Sequence, residues 1–152
     1  MDEESSRSFC RVDSTTLESM LDLSAQLYGQ EGWEWNREHA RRAAEALIAA
    51  PESGEILLIE AGGQAVGILV MTIGWSLEFG GRFGLVDELF VAEQWRGHGI
   101  GMQALQFAEQ WCRERDMEAV RLEVWTGNPG AIRLYQRAGF ALEERHLMTR
   151  RI

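Results

Sequence analysis

The sequence predicts an α/β domain with its elements in the order βααβββαβαββ. One observation is that short apolar or alternating segments bounded by glycines, which are typical of strands, recur along the chain. A second is that longer segments carry apolar residues three and four positions apart, which is typical of amphipathic helices. The third is that one strand leads directly into a glycine-rich loop that opens a helix. Together these features predict a sheet flanked by helices.

The chain begins with a strand and two helices. Residues 8–12 form a short strand. Thr15, followed by Glu18 three residues later, fits a capping box at the start of the first helix, whose apolar stripe continues to about Gly29. Asn36 is placed to cap the second helix, because a side-chain oxygen at this position satisfies a backbone N–H of the first turn.

Three strands follow. Residues 55–60 and 65–73 are strands joined by a hairpin turn at Gly62-Gly63. Residues 74–83 are either a long hairpin connection or an extension of the strands on each side. Residues 83–91 form the next strand.

The last part of the chain alternates strands with one helix. Residues 118–125 alternate in the manner of a half-buried strand. Asn128-Pro129 is a favourable helix start, with Asn at the cap and Pro in the first helical position. The sequence then predicts two final strands, at 140–143 and 145–150.

The loop Arg96-Gly97-His98-Gly99-Ile100-Gly101 predicts a phosphate-binding site. Glycines allow the backbone to approach a ligand closely, and the first N–H groups of a helix have no partner within the helix. The sequence excludes a Walker P-loop, because no Lys-Ser or Lys-Thr follows, and a G-x-G-x-x-G dinucleotide loop, because Met102 occupies the third glycine position. An apolar stripe follows on the helix: Ala104, Leu105, Ala108, Trp111 and Cys112.

Length and composition limit the classes of protein. The 152 residues are enough for one domain, predicted to span 1–152. A net charge of −9 disfavours binding to nucleic acid or to an anionic membrane. There is no apolar run long enough to span a bilayer and no apolar segment near the acidic N-terminus, and the two cysteines lack metal-ligand spacing. We therefore expect a cytoplasmic protein without a metal site.

Two sequence blocks resemble the GNAT (GCN5-related) N-acetyltransferases. The segment Arg96-x-x-Gly99-x-Gly101 is similar to the family's R/Q-x-x-G-x-G/A motif, which cradles the pyrophosphate of coenzyme A. The stretch from Leu122-Glu123-Val124 to Asn128, Tyr135 and Gly139-Phe140 resembles the family's L-E-V…N-x-x-A-x-x-L-Y-x-x-x-G-F block. The predicted element order also matches the GNAT fold, a central, mixed and mostly antiparallel sheet flanked by helices.

The resemblance implies an N-acetyltransferase that uses acetyl-CoA and transfers the acetyl group directly to a primary amine in a ternary complex. Tyr135 matches the general acid toward the leaving sulfur, although a core tyrosine would occupy the same helix stripe. Asn128 is implied to contact the cofactor in addition to its capping role. The other residues implied to bind acetyl-CoA are Leu89, Phe90, Val91, Arg96, Gly97, His98, Gly99, Ile100, Gly101 and Met102.

Three carboxylates are candidates for the general base. Glu88 and Asp87 occupy the strand position used by diamine and histone acetyltransferases of the family, and Glu123 occupies the position used by some protein N-terminal acetyltransferases. Glu88, acting through water, is preferred narrowly over Glu123. The alternative for each acid is a structural salt bridge, for example to Arg121 or Arg82.

The acceptor is predicted only as an amine: a polyamine, an aminoglycoside, a protein N-terminus or a lysine. Asp87 and four aromatic residues are candidates for binding it, and the aromatic ones could instead cover the core or a homodimer contact. The aromatic candidates are Trp33, Trp35, Trp75 and Phe79. A rival hypothesis is a non-catalytic sensor of acetyl-CoA, which would not need Tyr135 and the carboxylates.

Overall fold

The structure, a computed structural model, describes residues 6–152. The acidic N-terminal residues on which part of the localisation argument rests lie outside this range. Within it, five strands and four α-helices follow one another in the order βααβββαβα. The strands are β1 Ser8–Arg11, β2 Gly54–Ala61, β3 Gln64–Ser76, β4 Gly81–Val91 and β5 Val120–Leu122. The helices are α1 Leu17–Glu31, α2 Arg37–Ile48, α3 Ile100–Arg113 and α4 Pro129–Arg137.

The strands form one sheet in the order β1-β2-β3-β4-β5. The first four strands pair antiparallel with their neighbours, whereas β5 lies parallel to β4. The predicted mixed and mostly antiparallel sheet flanked by helices is therefore confirmed. No helix among the described residues is both long enough and apolar enough to cross a membrane.

Both faces of the sheet are covered. Alternate residues of the central strands point to opposite faces, so Leu57 and Leu69 pack in the core beneath α3, while Ile56 and Ile68 pack in the core beneath α1 and α2. All four side chains are nearly or completely buried. Because helices pack on both faces of the sheet, β2 and β3 are continuous apolar runs. The packed sheet is a rigid base for the loops at its edges.

Two helix caps and one hairpin follow the local sequence. The Asn36 side chain accepts a hydrogen bond from the His39 N–H at 2.9 Å, and Asn128 accepts one from the Ala131 N–H at 3.1 Å. The two-residue turn Gly62-Gly63 has positive φ at both positions, 56° and 73°, as a tight hairpin requires. These predictions are confirmed.

The predicted capping box at Thr15 is wrong. Helix α1 begins two residues later, at Leu17, and no side chain caps it at Thr16. Asp13 instead accepts the N–H groups of Thr15 and Thr16 in a turn before the helix, at 2.8 and 3.2 Å. Glu18 is not available to complete a box, because it pairs with Arg37 of α2 at 2.7 Å.

The hairpin between β3 and β4 is tighter than a long loop. Ser76 pairs with Gly81, so 74–76 and 81–83 extend the two strands and only residues 77–80 connect them. Of the two alternatives that the sequence left open, the structure has the strand extension.

Three segments differ from the predicted strands at the far end of the sheet. The predicted strand 118–125 is reduced to β5, because β4 offers it partners only from Gly84 to Val86. The predicted strands 140–143 and 145–150 are not formed. From Ala141 to Ile152 every residue is exposed, and no other part of the described chain offers this segment a backbone partner. An isolated segment has no ladder to join, so its sequence alone does not make it a strand.

Close packing between α3 and the sheet depends on Gly84. A Cβ at this position would overlap the Sγ atom of Cys112, which is buried on α3. The absent side chain allows the helix to approach β4 at the point where β4 pairs with β5.

We expect Gly84→Ala to lower the free energy of unfolding by about 1–3 kcal/mol, the usual cost of overpacking a core. Gly29→Ala in α1 is the matched control, since a Cβ there meets nothing within 4 Å. That control should be neutral or stabilising, because alanine favours a helix over glycine. Urea denaturation of both variants measures the difference. An unchanged midpoint for Gly84→Ala would show that α3 is free to shift away from β4.

Candidate active site

The site arises where β4 and β5 separate. The two strands pair only over Gly84–Val86 and Val120–Leu122. At the same place the register between β3 and β4 shifts, since Val70 pairs with Glu88 and Met71 with Val86, which leaves Asp87 as an extra residue. Such a bulge bends a strand and breaks the side-chain alternation. Consequently β4 turns away from β5 after Val86, and the edges of both strands become accessible.

A cavity of about 160 Å³ occupies this opening. Its walls come from the end of α1, the bulge of β4, the residues after β5 and the first turns of α4. Asp87, Glu88 and Glu123 line it together with Tyr135 and Asn128. The structure thus brings the three candidate bases, the candidate acid and the candidate cap residue to one place.

Eight residues of the cavity were not among the predicted site residues, and four of these are Tyr28, Glu31, Trp125 and Leu27. Tyr28 and Glu31 come from α1, at least 50 residues before β4. Trp125 follows β5 and is 59% exposed, with its ring at the cavity wall. The fourth is Leu27. Only Trp125 had a local indication, as an outward-facing aromatic residue in an alternating segment.

Glu88 is the most enclosed of the candidate bases. Its Oε1 accepts a hydrogen bond from the Tyr28 hydroxyl at 2.8 Å. Burial, the largest influence, raises the pKa of Glu88, and the charge of Asp87 raises it further, whereas hydrogen bonds from Tyr28 and Ser24 oppose the shift. The same contact and burial raise the pKa of Tyr28 far above its ordinary value, so Tyr28 remains a donor. A carboxylate whose pKa is raised is a better proton acceptor.

The other two carboxylates are more open. Asp87 lies at the mouth of the cavity, where partial burial raises its pKa. Glu123 is exposed. The alternative of structural salt bridges is not observed for these acids. Within the described residues Arg121 pairs with Glu78 and Glu143, and Arg82 donates to the Arg115 carbonyl at 2.9 Å.

Tyr135 lies on α4 with its ring edge-on to Phe140, 6.2 Å between centroids. Tyr135 lines the cavity, and its hydroxyl has no hydrogen-bond partner in the part of the chain that the structure describes. Burial raises the pKa of Tyr135, which keeps the hydroxyl protonated at neutral pH. A core tyrosine would normally have its hydroxyl bonded, so the open hydroxyl favours the chemical role over the packing role.

The glycine loop forms an anion-binding geometry. Gly97 and Gly99 have positive φ, 77° and 80°, and α3 begins at Ile100. Gln103 is the first residue of α3 whose N–H bonds a preceding carbonyl, that of Gly99 at 3.1 Å. The N–H groups from Gly97 to Met102 therefore donate to no oxygen in residues 6–152 and remain available for phosphate.

Two arginines lie near the glycine loop, of which the sequence suggested only Arg96. The Arg96 guanidinium donates to the Val91 carbonyl at 2.8 Å and to Gln30 of α1, so its side chain fastens β4 to α1. Arg7, which the sequence did not suggest, lies on the other side. Its Nη1 donates to Gln103 at 3.0 Å and lies 3.8 Å from the position of a Cβ at Gly99. Arg7 is therefore a second cation beside the loop, in addition to Arg96.

Two loop residues predicted to bind the cofactor have evident structural contacts. The His98 Nδ1 atom lies 3.3 Å from the Trp95 carbonyl, and Ile100 is buried. Gly101 permits contact with α4, because a Cβ there would lie 2.9 Å from Leu134. The loop is thus held between β4 and α4, the two elements that also carry the cavity.

The outer edge of β4 beyond the bulge completes the site. Leu89, Phe90 and Val91 pair with β3 on one side, and no strand among the described residues pairs with their other edge. This edge runs from the cavity toward the glycine loop. It presents backbone groups along the line that joins the glycine loop to the carboxylates.

The four aromatic candidates for acceptor binding lie in three places. Trp33 lines the cavity and is half exposed. Trp35 packs against the core beneath α1 and α2, and its Nε1 donates to Ser24 at 3.3 Å. Trp75 and Phe79 lie on the β3–β4 hairpin, where Arg121 stacks on Phe79 at 4.5 Å, and neither residue lines the cavity.

Residues 6–152 contain no group of three or more His, Cys, Asp or Glu side chains placed to hold a metal ion. All fifteen basic residues other than histidine are arginines, so the chain contains no lysine.

Comparison with known proteins gives the same family. The model of the Acetyltransferase (GNAT) family matches residues 17–140. An uncharacterized N-acetyltransferase from Archaeoglobus fulgidus is 26% identical over 127 residues, which are 82% of this chain and 86% of that protein.

Two solved structures extend the comparison. An integron cassette protein from the mobile metagenome of Cole Harbour Salt Marsh superimposes with a TM-score of 0.84 at 32% identity, covering 95% of this chain and 90% of that one. The aminoglycoside N-acetyltransferase AAC(6')-Iy in complex with CoA superimposes with a TM-score of 0.85 at 18% identity, covering 99% and 98%. At this identity the second match supports the fold alone.

The predicted resemblance and the predicted enzyme class, an N-acetyltransferase, are confirmed. The cavity lies where β4 and β5 part, near the glycine loop that opens α3, and the family model covers all of these elements. This chain belongs to the GNAT family of acetyltransferases.

Proposed function

We propose that this protein transfers an acetyl group from acetyl-CoA to a primary amine that carries at least one further positive charge. The observation that supports the acceptor class is the cavity itself. Four of its fifteen lining residues are acidic and none is Arg or His. These acids are Glu31, Asp87, Glu88 and Glu123.

The donor site fits the chemistry of coenzyme A. Unpaired N–H groups from Gly97 to Met102 and the guanidinium of Arg7 suit a pyrophosphate, since both favour negative charge. The free edge of β4 suits an extended arm with amide groups, as an added strand would. When bound, acetyl-CoA supplies the acetyl group as a thioester. AAC(6')-Iy has been solved with CoA and with the bisubstrate analog CoA-S-monomethyl-acetylneamine, which supports the same use here.

We assign the two proton transfers of the reaction to two different residues. An alkyl ammonium has a pKa near 10 and must lose a proton before its nitrogen can attack. We assign this proton to Glu88, directly or through water, because burial and Asp87 raise its basicity while Tyr28 fixes its orientation. Tyr135 holds a proton for the departing sulfur, because its hydroxyl faces the cavity and lacks another partner.

The remaining acids favour an acceptor with more than one cation. After Glu88 has served the reacting amine, Glu31, Asp87 and Glu123 remain as unpaired negative groups that a second ammonium would neutralise. The exposed rings of Trp33 and Trp125 add cation–π contacts of about 0.5–2 kcal/mol each. An acceptor without a second positive charge would not neutralise these carboxylates or form these cation–π contacts.

A matched pair of acceptors tests this proposal. Propane-1,3-diamine and 3-aminopropan-1-ol have the same length and differ in one ammonium. We expect kcat/KM to be at least tenfold higher for the diamine, and the ratio to fall as salt screens the carboxylates. Thiol release with acetyl-CoA is the measurement, with neamine and a short peptide as further amines. Equal rates for the pair would reject the polycationic acceptor, and absence of turnover with every amine would reject the transfer.

If Glu88 is the base, the variants Glu88→Gln and Glu123→Gln should differ in kcat/KM. Glu88→Gln should lower kcat/KM by about 10²–10⁴ near neutral pH, because the proton acceptor is lost while an oxygen remains for Tyr28. The loss should shrink at high pH, where more of the amine is already neutral. Glu123→Gln is the control and should retain most of its kcat.

Glu88→Gln should lower activity without lowering thermal stability. The folded-state pKa of Glu88 lies above its unfolded value, so its ionisation opposes folding once the pH exceeds the unfolded pKa. Glu88→Gln removes this cost and should not lower the melting temperature at pH 7. If Glu123→Gln shows the larger kinetic loss, the proton goes to Glu123 instead.

Tyr135→Phe separates catalysis from packing. The ring and its contact with Phe140 remain, and the hydroxyl has no bond to lose within the described residues, so the melting temperature should change little. Turnover should fall by roughly 10²-fold while acetyl-CoA affinity is nearly unchanged, since the interaction is made chiefly in the transition state. Near-normal kcat would leave Tyr135 without a chemical role.

The phosphate cradle predicts a loss of affinity in Gly99→Val. A side chain would occupy the side from which the phosphate approaches and would strain a backbone with φ of 80°. We expect at least tenfold weaker binding of coenzyme A by calorimetry, about 1.4 kcal/mol. Gly80→Val is the matched control, since Gly80 has a φ of 70°, an equally open surrounding and a position at the other end of β4. Equal affinities for the two variants would contradict the cradle.

A further inference from the structure

Ser24 is a buried polar residue to which the proposed chemistry assigns no role. Within the described chain it is the only polar residue that is buried, with 4% of its surface exposed. Its Oγ accepts a hydrogen bond from Nε1 of Trp35 at 3.3 Å. A hydroxyl can accept and donate at the same time, and Ser24 also hydrogen-bonds the Glu88 carboxyl. Ser24 therefore links Trp35, in the core beneath α1 and α2, to the candidate base.

Glu88 is thus held from two positions on one face of α1. Ser24 and Tyr28 are four residues apart in this helix, a spacing that places both side chains on the same face, one turn apart. The Tyr28 hydroxyl donates to Oε1 of Glu88 at 2.8 Å. An ionised carboxyl group only accepts hydrogen bonds, so two hydroxyl donors favour the ionised form. We call Ser24 and Tyr28 the donor pair.

Each member of the donor pair contacts an indole ring. Trp35 donates to Ser24, and Trp33 stands edge-on to Tyr28 with 5.8 Å between the ring centroids. The backbone at the end of α1 supports the second contact. Gly32 has a left-handed φ of 69°, and the Trp33 N–H bonds the Tyr28 carbonyl at 3.0 Å. These contacts restrict the rotation of both side chains, so the two hydroxyls stay directed at the carboxyl group.

The other surroundings of Glu88 oppose its ionisation. Burial raises the pKa of Glu88 and the charge of Asp87 raises it further, whereas the donor pair lowers it. On β3, the residue opposite Glu88 is the apolar Val70. The remaining titratable groups that line the cavity are acids or phenols from three other elements: Glu31 of α1, Glu123 after β5 and Tyr135 of α4. Within residues 6–152, hydrogen bonds from α1 are therefore what favours the charged carboxylate.

We propose that Ser24 and Tyr28 are positioning residues that hold the Glu88 carboxylate in its ionised form and in one orientation, with Trp35 directing Ser24. The inference rests on the proposed role of Glu88 as the base. As an N–H bond of the acceptor ammonium breaks, an O–H bond forms at Glu88, and the electron pair left on nitrogen attacks the thioester. Glu88 can receive that proton only while it is ionised. Trp35 thus serves the base at one remove and does not bind the acceptor.

Ser24→Ala and Tyr28→Phe test the two donors separately. Each variant loses one hydroxyl, and Tyr28→Phe keeps the ring beside Trp33. We expect kcat/KM near neutral pH to fall about tenfold in each, the effect of losing one hydrogen bond to a charged group. The acid limb of the pH–rate profile should lie at higher pH than in the wild type, because Glu88 then keeps its proton to a higher pH. The loss should shrink at alkaline pH.

Tyr135→Phe is the matched contrast for Tyr28→Phe. Tyr135 lines the same cavity, but its hydroxyl bonds no residue of the described chain. This variant should lower turnover without moving the acid limb. Should Ser24→Ala not fold, Ser24→Cys replaces it, since a thiol is a weaker donor of similar size.

A double-mutant cycle asks whether the donor pair acts through Glu88. In a Glu88→Gln background, Tyr28→Phe and Ser24→Ala should each change kcat/KM by less than about twofold, because a positioning residue acts only through the residue it positions. Losses in that background as large as those in the wild type would overturn the inference.

Titration of the Glu88 carboxyl by carbon NMR, with its signal assigned from Glu88→Gln, needs no acetyl transfer. It should move to higher pH in Tyr28→Phe and in Ser24→Ala, and stay in place in Tyr135→Phe. A titration unmoved in the two folded donor variants would overturn the inference, even if Glu88→Gln abolishes activity. If the titration moves while Glu88→Gln retains full kcat/KM, the donor pair stands and the assignment of Glu88 as the base fails.

Discussion

The site of this protein depends on the short pairing between β4 and β5. Three residue pairs join the strands before the bulge at Asp87 turns β4 away. If the ladder continued, the edge of Leu89–Val91 would be bonded to a strand, and Asp87 and Glu88 would be packed against it. Because it stops, the same few residues provide a cavity, free backbone groups and carboxylates. The energetic cost is small, since the unpaired edges face solvent or ligand and are not buried.

Electrostatics and packing act together in this opening. Arginines that could neutralise the cavity acids are bound elsewhere: Arg121 to Glu78, Arg82 to the Arg115 carbonyl and Arg96 to the Val91 carbonyl. Among residues 6–152 these acids have no cationic partner, and burial raises the pKa values of both Asp87 and Glu88, while the charge of Asp87 raises the pKa of Glu88 further. The absence of lysine means that no ε-amine of the enzyme competes with the acceptor for the acetyl group.

Local chemistry made much of the fold predictable. Asn36 and Asn128 cap helices through atoms only three residues away, and the Gly62-Gly63 turn depends on its own backbone angles. The glycine loop and the family motifs predicted a donor site and a role for Tyr135 in the same way, and both remain predictions. Features set by distant neighbours were not predictable. The Tyr28–Glu88 hydrogen bond joins residues 60 positions apart, and the early end of β5 follows from a bulge in another strand. Residues 140–143 and 145–150 were predicted to be strands, but forming a strand requires a partner that the sequence pattern does not supply.

The order of the strands has a consequence for motion. The β2–β3 and β3–β4 contacts join strands that follow each other directly in the chain, so they close short loops, whereas β1 and β2 are separated by α1 and α2. The β4–β5 pair joins segments separated by α3 and has three residue pairs, the fewest in the sheet. Regions with few bonds open locally at a lower free energy than the core. The joint that creates the cavity is therefore also the place where the domain opens most readily, and β5 can fluctuate there without disturbing the sheet that holds the glycine loop.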